Sequence, residues 1–111
     1  MKYHHLGIPT KKKLPDERYL PHLKMYVSGY GKNEYGIEWV RYDDDADFPD
    51  IVKELLHVAF EVEDLKAAIE GKNVIIKPNS PSPGVLVAFI EENGAPVEFI
   101  QVDRSIAEEG I

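Results

Sequence analysis

The sequence predicts an α+β fold built from two related units, and three observations predict it. The second half patterns as β-α-β-β-β. The stretches "YGIEWVRYD" (Tyr35–Asp43) and "APVEFIQVD" (Ala95–Asp103) align without a gap: small residue, β-branched aliphatic, Glu, aromatic, β-branched aliphatic, two variable residues, Asp. A second pair precedes them in the same order, His5-Leu6-Gly7-Ile8 matching His57-Val58-Ala59-Phe60. His opens each half and Glu closes it, the signature of a tandem repeat.

The elements follow in order. Lys2–Ile8 reads as a strand stopped by Pro9. Three prolines between Pro9 and Pro21 exclude a regular helix there, so an irregular connection is expected and the first unit lacks the helix of the second. His22–Tyr30 and Tyr35–Tyr42 read as a hairpin around "GKNE", with Gly31 and Asn33 serving the turn. Asp43–Leu56 is a linker holding a short helix, with Pro49 near its first turn. Leu56–Val62 is a strand. In "EDLKAAIEG", Asp64 is the N-cap, Leu65, Ala68 and Ile69 share a face, and Gly71 is the stop. Asn73–Pro78 is a strand and "NSPSPG" a loop. Val85–Glu92 and Ala95–Asp103 form a last hairpin about Asn93-Gly94, the strongest hairpin signal in the chain.

Composition narrows the function. The 111 residues are 43% hydrophobic and 30% charged, which fits one compact domain. A net charge of −7 repels phosphate backbones, so no nucleic-acid partner is expected. The absence of cysteine removes disulfides and thiolate chemistry. No apolar run reaches the ~20 residues of a membrane span, and no signal-peptide pattern opens the chain; the expectation is no membrane association and a cytoplasmic location.

The four repeated polar residues carry the chemistry. Side chains alternate along a strand. With Val58, Phe60 and Val62 turned to the helix, His57 and Ala59 face the other way, and the repeat gives His5 and Gly7 the same face. Ile37, Trp39, Val97 and Phe99 form the large apolar set of the closing strands, which sends Glu38 and Glu98 opposite. Two imidazoles and two carboxylates suit a divalent ion such as Zn, Ni, Co, Mn or Fe, whose charge the ligands neutralise. Four protein ligands on a six-coordinate ion leave places for a substrate, as a Lewis-acid catalyst requires.

Other candidates are weaker. His4 falls on the opposite strand face by simple alternation and is read as a non-ligand; His22 is read as exposed. "DDDAD" (Asp43–Asp47) lacks the spaced glycine and distal Glu of a calcium loop. Ser80 and Ser82 have no paired His, so nucleophilic catalysis has no support. Trp39 and Phe99 are read as core or interface, and Arg41, Tyr26 and Tyr42 as possible contacts of an anionic substrate.

With these residues in view, the chain resembles the vicinal-oxygen-chelate (VOC) superfamily of glyoxalase I, methylmalonyl-CoA epimerase, bleomycin-resistance proteins and extradiol dioxygenases. "HHLGI" is similar to its opening strand, "LHVAFEVEDLKAAI" to its second-module strand and helix, "APVEFIQ" to its closing strand and "YGIEWV" to the end of its first module. The resemblance implies tandem βαβββ modules forming a cup-shaped mixed, glyoxalase-like sheet. It implies a single domain over 1–111, with module one at about 1–43, a linker at about 44–55 and module two at about 56–103. It carries the ligand roles to His5, Glu38, His57 and Glu98, a set most like that of glyoxalase I, with Glu98 doubling as the catalytic base. The implied function is a metal-dependent lyase- or isomerase-like enzyme that moves a proton beside the carbonyl of a small oxygen-rich compound, working as a homodimer. The alternative is a non-catalytic small-molecule-sequestering protein of the bleomycin-resistance type. An oxygen-activating Fe²⁺ enzyme ranks last, because a fourth protein ligand takes a position that oxygen needs.

Overall fold

A computed structural model describes all residues, 1–111. Eight strands, β1 (Lys2–Pro9), β2 (Arg18–Leu20), β3 (Met25–Ser28), β4 (Ile37–Tyr42), β5 (His57–Glu61), β6 (Val74–Ser82), β7 (Val85–Glu92) and β8 (Ala95–Val102), form one sheet. Two short helices, α1 (Asp50–Glu54) and α2 (Leu65–Ile69), precede β5 and β6. The fold is α+β, and the mixed sheet curls into a half-barrel. No helix is long and apolar enough to cross a membrane.

The strand order is β2-β3-β4-β1-β5-β8-β7-β6, so each half runs inward from an edge hairpin to its closing strand and then its opening strand. β1 is parallel to β4 and β5 is parallel to β8, while β1 and β5 meet antiparallel at the centre. The registers match: Gly7 lies beside Glu38 and Ala59 beside Glu98, then Ile8 beside Trp39 and Phe60 beside Phe99. Each small residue thus sits next to a glutamate and next along the same face from a histidine.

The second half contains the main core. Leu65 of α2, 1% exposed, packs with Ala88, Ile90 and Phe99 and is joined by Phe60, Val62, Ala68 and Ile69. Burying one such leucine contributes about 2 kcal/mol by area. Asp64 caps α2 by accepting from the Ala67 N–H at 3.2 Å, and the Gln101 Oε1 accepts from the Leu65 N–H at 2.8 Å. Anchoring α2 on β7 and β8 leaves the alternate residues of β5, β7 and β8 to line the opposite, concave face. In the first half, residues 10–17 form turns without a helix, and Leu6, Ile8, Ile37 and Trp39 are only half-buried.

Four expectations need correction. The connection after Pro9 contains β2, whose three residues pair with Met25–Val27; it is too short for a sequence pattern to reveal. His22–Lys24 is a turn, and the strand begins at Met25. The link from β3 to β4 is an eight-residue loop, 29–36, instead of a tight turn. It is closed by Asn33, whose Nδ2 donates to the carbonyls of Gly29 and Ile37 and whose Oδ1 accepts from the N–H groups of Tyr35 and Ile37. Finally, "NSPS" belongs to β6: this edge strand pairs with β7 through three breaks of register, which accommodate Pro78 and Pro81. The last hairpin is as expected, with Asn93 and Gly94 both at positive φ (51° and 87°).

Candidate metal centre

The concave face forms a cup of about 430 Å³, and the polar cluster lies on its wall. His5 of β1, His57 of β5 and Glu98 of β8 are 5%, 4% and 8% exposed. Glu98 Oε1 is 3.2 Å from His5 Nε2 and 3.1 Å from His57 Nε2. One ligand atom from each of the three lies within 4.8 Å of the others, so this buried group can hold a metal ion. Glu38 stands apart from that compact set. Its Oε1 is 3.7 Å from His5 Nε2, and its side chain is 23% exposed.

The positions follow from local structure. Gly7 pairs with His57 across the β1–β5 ladder, and a Cβ at Gly7 would fall on the His57 ring. Only glycine leaves that space. The ring also meets Phe89 edge-on, with centroids 4.9 Å apart. His57 Nδ1 is buried without a hydrogen-bond partner.

His4 is also at the site, contrary to the alternation argument. The β1–β5 register advances from Tyr3–Phe60 directly to His5–Ala59, leaving His4 as the extra residue of a bulge. The bulge re-aims His4, whose Nδ1 lies 2.8 Å from His5 Nδ1. Its ring stacks on Tyr30 at 4.8 Å, with the Tyr30 hydroxyl 3.2 Å from His4 Nε2. Two proton arrangements satisfy both contacts; the one that would leave His5 Nε2 free to hold an ion has His5 Nδ1–H donating to His4 Nδ1 and His4 Nε2–H donating to the Tyr30 oxygen. His5 then has its Nε2 directed at the carboxylates. Tyr30, in the loop before β4, gave no sign of this role in the sequence, and strand alternation had turned His4 away although it adjoins His5.

Electrostatics bind the cluster together. Burial alone would raise the Glu98 carboxyl, but hydrogen bonds from His5 and His57, with their charges, outweigh it and hold the group at about 2. Burial would lower His5, yet the Glu98 hydrogen bond and the charges of Glu98 and Glu38 carry it above the usual histidine range. Burial pushes Glu38 up against the opposing pull of His5. For His4, burial and the neighbouring His5 charge bring the ring down to about 4.

The remaining candidates divide. Tyr42 lines the cup against Phe48. Arg41 is bound outside it, donating to Glu17 at 2.8 and 2.9 Å with its guanidinium 3.9 Å above the Tyr26 ring, so neither residue is placed to meet a substrate in the cup. His22 is exposed.

No protein-family model and no curated protein matches the chain. Among solved structures it is similar to the hypothetical protein BH1468 from Bacillus halodurans C-125, with a TM-score of 0.68 and 20% sequence identity, over 92% of this chain and 94% of that one. At that identity the likeness is one of fold, and the two chains share this curled mixed sheet.

Proposed function

We propose that this chain is a metal-dependent enzyme of lyase or isomerase type, resembling the glyoxalase branch of the VOC superfamily, that moves a proton beside the carbonyl of a small oxygen-rich compound. The observation that carries the reading is the convergence of His5, His57 and Glu98 on the wall of an apolar cup. The matched registers of Gly7–Glu38 and Ala59–Glu98 support reading the halves as tandem modules, the first without its helix. The donor set fits a borderline divalent ion of the Zn, Ni, Co, Mn or Fe group: two imidazoles, one buried carboxylate and a second carboxylate close by. Such an ion supplies Lewis acidity that polarises the substrate carbonyl.

The chain's own groups do the rest. Glu98 Oε1 takes both histidine contacts, which leaves Oε2 to receive the proton from the carbon next to the carbonyl. Glu38 faces the same space and completes the four-residue set. Phe89, Val87 and Val85 on β7 keep that wall apolar and limit the water that reaches it. The molecule is proposed to work as a homodimer, measurable by sedimentation.

The test is metal content of purified protein, wild type against His5→Ala and Glu98→Gln, with deuterium exchange into α-hydroxyketones. The expected result is one ion per chain, lost in both variants, and exchange that needs the ion. A protein that takes up no divalent ion in excess overturns the reading. Bound ion without exchange above background moves the chain to the sequestering class.

One observation favours a second reading. The compact set is two histidines and one carboxylate, with Glu38 set back, and that donor set would also suit oxygen-activating Fe²⁺. Oxygen uptake by the Fe²⁺-loaded protein with a catechol present would select it.

A further inference from the structure

The cup's charges, taken one by one, point to a substrate class. Apart from the histidines, its cationic lining residues are Arg18 and Lys32, and each already has a carboxylate. Arg18 donates from both Nη atoms to Glu108, at 3.0 and 3.1 Å, joining β2 to the segment after β8 across the cup. Lys32 Nζ is 3.4 Å from Asp16. Deeper in, Glu38 and Glu98 bring two carboxylates, which the histidines or a divalent ion offset. No cation in the cup is left over for an anionic ligand, and the chain's net charge of −7 opposes one from a distance.

Much of the remaining lining is apolar, interrupted by Ser28, Tyr30, Tyr42, Asn79 and Ser82. Met25 and Val27 come from β3, Val85 and Val87 from β7, and Ile100 from β8. Ile111 packs on Val85, Val87 and Ile100, so the segment that carries Glu108 also supplies part of the wall. Placing a carboxylate against such a surface costs its hydration with no unpaired cation in return, whereas an alkyl or aryl group gains by being covered.

We propose that the cup selects an uncharged carbonyl compound with an apolar alkyl or aryl body and rejects carboxylated ones, including hemithioacetals of glutathione. The inference rests on the metal-enzyme reading for the carbonyl end only; the selection against charge comes from the cup wall and its paired rim. Two probes with the same phenyl body separate the cases, uncharged phenacyl alcohol and anionic mandelate. Each is titrated by NMR into the full chain, both metal-free and Co²⁺-loaded.

In the metal-free protein phenacyl alcohol should bind at least about tenfold more tightly, a difference of roughly 1.4 kcal/mol. In Glu108→Gln, an exposed change that frees Arg18, mandelate should gain several-fold while phenacyl alcohol is unchanged. Equal or tighter binding of mandelate by the wild type overturns the proposal. So does failure of phenacyl alcohol to bind, or no gain in mandelate binding in Glu108→Gln. A preference for phenacyl alcohol in a protein that takes up no ion would end the metal-enzyme reading and leave this selectivity standing.

Discussion

His4 Nδ1 lies 2.8 Å from His5 Nδ1, so two successive residues of one strand meet ring to ring where a regular strand would turn them apart. The bulge at His4 creates the contact, and Tyr30 holds the outer ring. On a bound ion His4 would act through His5. Replacing His4 by Phe should lower divalent-metal affinity about 10- to 100-fold, the usual cost of losing a hydrogen bond behind a histidine ligand. Chelator competition reads the affinity, and the visible spectrum of the Co²⁺ form reports whether the coordination itself has changed. Unaltered affinity would show that the contact is only structural.

Gly7→Ala should be among the most damaging single-atom additions. The new methyl would fall on the His57 ring, which also packs edge-on against Phe89. Overpacking of this kind costs about 1–3 kcal/mol. Displacing the ring would also disturb its 3.1 Å contact with Glu98, so metal binding should weaken more than the melting temperature alone implies. Ala59, the equivalent position in the second half, should accept Gly with little loss of binding.

The metal-free protein should show an uneven dependence of stability on pH, measured as urea midpoints. Glu98, held at about 2, contributes stability that is complete above its unfolded value of 4.5 and lost as pH falls toward 2. His4, lowered to about 4, binds its proton more weakly in the folded state, so its effect makes stability rise between pH 4 and 6.5. Glu38, raised by burial, opposes that rise from 4.5 upward. Just above 6.5, before the tyrosines and lysines titrate, the shift that matters is that of His5: its contribution is complete below 6.5 and is lost as pH climbs through the raised folded value. Stability should therefore climb from pH 2 to 4.5 and decline above 6.5. Saturating Zn²⁺ should remove the alkaline decline, because an ion replaces the proton between His5 and the carboxylates.

Leu65→Ala removes the side chain at the centre of the second-half core and should cost about 2–5 kcal/mol in denaturant melts. The metal affinity of the folded fraction should stay within about twofold by the rule that separated sites act independently. A large loss of affinity would mean that α2 holds the cluster directly and not simply through the sheet.

Much of this arrangement was legible because a strand has a fixed period. Once Phe60 was given to the helix and Phe99 to the apolar set of the closing strands, alternation sent Ala59 and Glu98 to the opposite face, and the repeat placed Gly7 and Glu38 in step with them. The bulge at His4 was not legible, since it depends on how many residues of β5 oppose β1, a property of the pair. Nor was the setback of Glu38, because a repeat equates positions and leaves distances open: the Glu38–His5 approach is 3.7 Å where Glu98 comes to 3.2 Å. Pro78 and Pro81 concealed the second half of β6, since proline reads as a strand breaker unless one side of the strand is known to be free. Three-residue β2, bracketed by Pro15 and Pro21, offered no period to detect.

β6 and β2 are the two borders of the sheet, and both are poor templates for another polypeptide. Proline removes amide donors from one, its broken register gives the stranger no regular row to copy, and the other ends after three residues. Fibril growth by adding strands is hindered at both margins, so a molecule rich in β-structure has protection against polymerising with its own kind. Two copies that associate would have to meet broadside, through surfaces such as that bearing Trp39, rather than by extending the ladder.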